Sequence, residues 1–187
     1  MQNHKTITLK RGKEETLLRF HPWVFSGAIA DLPKDIEEGD IVKVVASDGR
    51  TLGVGHYEIG SIAVRMLSPE EITIDESFFA ERLAQAWALR ERLGLIRPDN
   101  TTFRLVHGEG DFLPGCVVDV YGNTAVLQAH SPGMHYARNI IAKALTELPG
   151  AGIRNVYYKS ETTLPYKARL DPVNDYIIGG FETNIAT

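Results

Sequence analysis

Three groups of residues in this 187-residue sequence carry side chains able to do chemistry. The first is the run Arg19-Phe-His-Pro-Trp-Val-Phe-Ser-Gly-Ala-Ile29, in which a guanidinium, an imidazole and an indole fall close together. In extended chain Arg19, His21 and Trp23 share one face. Together they offer a phosphate contact and a stacking surface, as unpaired bases require. The second group is the loop His107–Gly115, "HGEGDFLPG". His107, Glu109 and Asp111 are of types that ligate metals or exchange protons. No second cluster completes a shell, and the same spacing suits a turn-rich connection built on Gly and Asp. The third is the single cysteine, Cys116. It opens an apolar Cys-Val-Val run with no cation near in sequence to lower its pKa, and so reads as a small buried hydrophobe.

Charge narrows the partners. The net charge of −4 excludes a protein that coats nucleic acid indiscriminately. Two segments run against that balance. Lys5, Lys10, Arg11, Lys13 and Arg19 face only Glu14 and Glu15 in residues 1–30. Arg154, Lys159, Lys167 and Arg169 face only Glu161 in residues 154–169. Such separated basic stretches suit local phosphate contact. The glycine pairs Gly53/Gly55, Gly108/Gly110 and Gly150/Gly152 lack the third glycine of a dinucleotide fingerprint, those positions being Glu58, Leu113 and Asn155. The sequence therefore predicts no cofactor site in this chain. No signal-peptide layout and no membrane-length apolar run is present, and one cysteine fits a reducing compartment, so the expected location is the cytoplasm.

The elements that must position these groups change character near residues 70–75. Before that point the chain reads as short strands. Thr6–Lys10 alternates, residues 37–59 form a hairpin around Ser47-Asp48-Gly49, and Ile62–Leu67 closes at Ser68-Pro69. One brief helix is expected from Glu14 to Phe20, ended by Pro22. The pattern predicts a small β-barrel, with Trp23, Phe25 and Ile29 assigned to its packing. Beyond it, Asp75 reads as an N-cap, Gly94 as a stop, and Phe79, Leu83, Ala86, Leu89 and Leu93 as one helical stripe with Trp87 beside it. Strands follow at Phe103–Val106, Cys116–Val120 and Ala125–Gln128, then a helix from Ser131-Pro132-Gly133 to about Leu148, then a strand at Ile153–Tyr158. The fold class is α+β, with residues 1–72 a barrel, 73–180 an α+β unit including a helix over 76–94, and 181–187 a lead-in that stops short.

Two segments in the right order also carry a family likeness. "LLRFHPWVFSGAI" with "EEGDIVKVVASDGRTLGVGHY" resembles the N-terminal PUA domain of the ribosomal RNA large-subunit methyltransferase I family. "FRLVHGEGDFLPGCVVDVYGNTAVLQ" resembles that family's middle domain. The likeness covers essentially the whole chain. It implies the N-terminal half of an S-adenosylmethionine-dependent enzyme making 5-methylcytosine in 23S rRNA, with the Rossmann-like catalytic domain absent. Cys116 stands where the family has an aliphatic residue, so no catalytic role transfers to it. S-adenosylmethionine is then a cofactor of the full-length parent, and this chain alone is expected to be inactive.

In PUA domains RNA lies against the groove beside the first helix, which by position implicates Lys10, Arg11, Lys13, Arg19, His21 and Arg65. Lys159, Lys167 and Arg169 would extend the track or face the catalytic domain. Expected partners are structured ribosomal RNA and that C-terminal catalytic domain, without a membrane, and homodimerisation stays open. Two other readings stand beside this one: a stand-alone PUA-type RNA-binding module, and a small metal-dependent enzyme using His107, Glu109 and Asp111.

Overall fold

The computed structural model describes residues 4–165, 168–170 and 172–180. Among the described residues eleven strands form two mixed sheets. In the first, β1 (Lys5–Leu9) runs parallel to β4 (Ile41–Val45). β4 turns back as β5 (Thr51–Tyr57), which pairs with β6 (Ile62–Ser68). The short strands β2 (Trp23–Phe25) and β3 (Ile29–Asp31) pair antiparallel with β6 and β1. The order β2-β6-β5-β4-β1-β3 leaves two edges, so the expected barrel is a curled half-barrel. Alternation drives its core: Ile7, Leu9, Val42, Val44, Leu52 and Val64 are all buried.

The "GVG" of β5 owes its glycines to strand pairing. A Cβ on Gly53 would lie 2.0 Å from the Ser68 carbonyl oxygen, and one on Gly55 would lie 2.4 Å from that of Arg65. Only bare backbone allows β6 to approach this closely.

In the second sheet β7 (Thr102–His107), β8 (Cys116–Tyr121) and β9 (Thr124–Ala129) form an antiparallel meander. A crossover brings β10 (Asn155–Tyr158) parallel to β9, and β11 (Asp175–Ile178) completes the edge. Against this sheet pack α2 (Glu76–Arg92) and α4 (Arg138–Thr146). Asp75 caps α2 as expected, its side chain accepting from the Phe78 N–H at 3.1 Å. The cap of Gly94 is also in place, with φ +67°. Val54 and Leu67 of the first sheet join the second sheet's core, so an apolar seam joins the two sheets.

Three expectations need correction. The single helix after Ser131 is two helices, α3 (Pro132–Tyr136) and α4, jointed at Ala137. There the Tyr136 ring lies where a Cβ on Gly39 would be, and the His56 ring where a Cβ on Gly133 would be, so the joint is fitted to the first sheet. On α2, Leu89 and Leu93 are exposed, and the stripe position after Ala86 is taken by buried Arg90. Lastly, Val24 is the inward residue of β2, whereas Phe25 is 46% exposed and Trp23 half-buried. Trp23 and Phe25 share one face of the strand and Val24 has the other, and the apolar, β-branched valine's face is the one turned inward. Ile29 packs partly buried against the first core, as expected. The 181–187 lead-in lies outside the described residues.

Candidate nucleic-acid interface

The first helix, α1 (Glu15–Leu18), is only four residues long and is anchored by buried Leu17. Between it, the end of β1 and β2 lies a groove of about 420 Å³ lined by Gly12, Lys13, Glu15, Thr16, Phe25 and Gly27. Lys13 lines it, and Lys10 and Arg11 belong to the same turn, closed by the Lys13 N–H donating to the Lys10 carbonyl at 3.0 Å. Gly12 supplies that turn's left-handed residue at φ +79°. The Lys10 ammonium donates to the Gly27 carbonyl at 2.9 Å, across the groove from the helix. Arg19 follows α1 at its C-terminal end. All four cations are exposed, and none is ion-paired among the described residues. Unpaired cations in the turn before α1 and at its end, with Glu15 the acidic residue in the groove's lining, favour an anionic partner.

His21 is half-buried. Its Nδ1 lies 3.2 Å from the Trp23 backbone N–H and 3.3 Å from the Trp23 carbonyl oxygen, so the ring is held against the start of β2. The rings of His21, Trp23 and Phe25 form one cluster, with centroids 5.6 to 6.3 Å apart. These aromatics sit on the outside of β2 as a ready stacking surface.

Arg65 belongs to a different setting. Its side chain is 16% exposed, with Nε 3.0 Å from Glu58 and Nη1 3.1 Å from Glu109. The guanidinium lies 5.8 Å from the Trp23 ring centre, and the Trp23 indole N–H donates to Glu109 at 2.8 Å. Two carboxylates pair with this arginine, so it ties β6 to the loop after β7 instead of joining the exposed group. Burial pushes the Glu58 carboxyl up, against the opposing pull of Arg65. In the neighbouring pocket, burial and then Arg65 push His130 down.

The residues His107, Glu109 and Asp111 do not converge. Glu109 turns to Trp23 and Arg65, while Asp111 is buried in a two-pronged pair with Arg90 of α2. The Asp111 carboxylate also accepts from the His107 backbone N–H at 2.6 Å. His107 is exposed, its Nδ1 3.3 Å from Arg104. The loop is a turn-rich connection riveted to α2, which is the structural reading of its Gly and Asp content. Cys116 is fully buried, its thiol pushed up to about 12, chiefly by burial and secondarily by Asp111.

In the second sheet Lys159 follows β10 and Arg169 stands at φ +51°, both exposed. No described contact joins them to the α1 groove. Lys167 lies outside the described residues.

Sequence reasoning missed Phe20, Phe112 and Arg82. Phe20 is 79% and Phe112 63% exposed, and both are left-handed, at φ 60° and 57°. A bulky residue in that region costs about 1–3 kcal/mol. The one sequence signal was an aromatic next to a helix stop, as in "RFHP" and "GDFLPG".

The curled half-barrel is a PUA-like domain: residues 7–69 match the PUA-like domain family. The whole chain is homologous to the N-terminal half of proteins named Ribosomal RNA large subunit methyltransferase I. The relative from Alteromonas mediterranea is 38% identical over 183 residues, which are 96% of this chain and 45% of that protein. Those from Shewanella amazonensis and Escherichia coli O139:H28 are 44% and 36% identical over 75% and 92% of this chain, and 36% and 43% of theirs. The chain thus spans less than half the length of these relatives. A solved structure from Streptococcus mutans, assigned as a SAM-dependent methyltransferase, shares the fold with a TM-score of 0.76 at 16% identity, over 95% of this chain and 44% of that one. No helix among the described residues is long and apolar enough to cross a membrane.

Proposed function

We propose that this chain is the RNA-docking portion of an S-adenosylmethionine-dependent methyltransferase acting on cytosine C5 of 23S rRNA. Residues 1–72 grip structured RNA, and residues 73–180 hold the grip in register with a catalytic domain elsewhere in the parent. The observation that carries this is the set of four exposed, unpaired cations, Lys10, Arg11 and Lys13 in the turn before α1 and Arg19 at its end, inside the PUA-like match. Names of the homologues support large-subunit ribosomal RNA and methyl transfer, and cytosine C5 rests on the family resemblance. The three glycine pairs of the described residues have structural uses of their own. Gly53 and Gly55 are spent on strand contact, Gly108 and Gly110 on the turn before Phe112, and Gly150 and Gly152 on the turn before β10, so no catalytic step is assigned to them.

Salt dependence tests the docking. Four phosphate contacts give a log–log slope of about −2.8 on single strands and about −3.6 on duplex. Affinity should therefore fall roughly 50- to 150-fold from 50 to 200 mM salt. Changing Lys10, Arg11 and Arg19 to alanine should flatten the slope by about 2 to 3. Unchanged affinity and slope in that triple variant would remove the groove from the interface.

A further inference from the structure

We propose that Phe20 and Phe112 form a two-ring stacking site for one unpaired nucleobase of the bound RNA, a proposal that rests on the RNA-docking reading above. The two rings are placed by the same backbone device. After α1, the Phe20 N–H donates to the Leu17 carbonyl at 2.8 Å and the His21 N–H to that of Thr16 at 3.0 Å. After the turn at Gly108–Asp111, the Phe112 N–H donates to the Glu109 carbonyl at 3.2 Å and the Leu113 N–H to that of Gly108 at 3.1 Å. Each is the paired closure of a helix end whose left-handed position glycine normally fills. Here phenylalanine fills it twice, with the ring mostly exposed both times. Burial does not reward either ring for the strained backbone, and such outliers point to function.

Far apart in sequence, the two rings line one apolar depression, with Leu17, Leu52, Met66 and Pro69 as its floor and walls. Its volume is about 80 Å³. Sites for whole drug-sized ligands run to roughly 300–1,000 Å³, so this one takes a single flat group. Charge decides what kind. The Arg82 guanidinium lies over the rings of Phe112 and Phe78, at 5.5 and 5.2 Å. It donates to Gln85 and to the Leu67 carbonyl, its Nε is buried without an acceptor, and it has no carboxylate partner among the described residues. Arg19 precedes Phe20, and His21 lines the same depression. An aromatic slot edged by an unclaimed cation complements a base, whose faces stack while its carbonyl or phosphate oxygens accept hydrogen bonds. An apolar protein segment would leave Arg82 uncompensated.

The test is binding of the full chain, at low salt, to a single-stranded RNA octamer carrying one 2-aminopurine. The variants are Phe20→Gly and Phe112→Gly, with Phe20→Leu and Phe112→Leu keeping apolar bulk without a π face. All four should stay folded, the glycine variants melting no lower than the parent. Each should bind roughly 5- to 150-fold more weakly and lose the fluorescence quench. An octamer abasic at the probe position should bind the parent chain equally weakly. Unchanged affinity and quench in the phenylalanine variants overturns the stacking site. It leaves RNA docking standing if the Lys10, Arg11 and Arg19 triple variant still binds weakly. Failure of the parent chain to bind any RNA overturns both. Loss of self-association on sedimentation, with RNA affinity intact, assigns the rings to a protein contact and also overturns the proposal.

Discussion

Removing the carboxylate of Asp111 should unfold much of what holds the second unit in register. Asp111 and Arg90 pair with side chains only 4% and 10% exposed, and the Arg90 Nε also donates to the Arg104 carbonyl at 3.0 Å. In Asp111→Ala the guanidinium stays charged and buried with one backbone acceptor, and the His107 N–H loses the carboxylate it donates to. Breaking a buried pair from one side costs about 3–5 kcal/mol, because the remaining charge is left uncompensated. For a domain of this size that lowers Tm by roughly 6–20 °C. The assay is urea unfolding followed by tryptophan fluorescence, since Trp87 lies on α2 three residues before Arg90. Arg90→Met with Asp111→Leu should be less damaging than either single change. It should not reach the parent's stability, because the His107 N–H and Arg104 carbonyl lose partners at about 1–3 kcal/mol each. The exposed pair Lys143–Glu76 is the control, and Lys143→Ala should cost under about 1 kcal/mol. If Asp111→Ala costs no more than Lys143→Ala at an unchanged m-value, the rivet has been misjudged.

Two further outcomes are expected. His56 is buried against Gly133, and burial pushes its pKa from 6.5 to about 4, so the folded state resists a proton that the unfolded chain accepts. Its contribution is complete above pH 6.5 and is lost as pH falls toward 4, a swing of about 3 kcal/mol. A unit-by-unit pH series of urea midpoints should show that loss, and it should shrink in His56→Phe; identical profiles would exclude His56 as the source. Cys116, buried and with its thiol pushed up to about 12, should react with iodoacetamide at pH 8 only at the rate of unfolding. Fast labelling of the native chain would contradict that burial.

Local patterning made much of this protein legible. The Asp75 cap, the Gly94 stop, the β4–β5 hairpin, buried Trp87 and Cys116, and the exposed Lys10, Arg11, Lys13 and Arg19 all follow from short-range periodicity, turn chemistry and charge counting. Two motifs also sufficed to point to the relatives, whose likeness spans nearly the whole chain. Contacts across long separations were not legible. Trp23 and Arg65 meet Glu109 across 86 and 44 positions, and Arg90 meets Asp111 across 21. A helix stripe read by period alone gives no reason to bury an arginine, because its reason is a carboxylate on another element. Likewise the sequence by itself determined that the chain carries aromatics and cations fit for RNA. Only the tertiary structure decided which serve where: it sends Arg65 to Glu58 and Glu109, and brings Phe20 and Phe112 to one pocket. The physical reason is that a helix end fixes its own left-handed residue locally, whereas the packing of two sheets fixes which helix ends become neighbours.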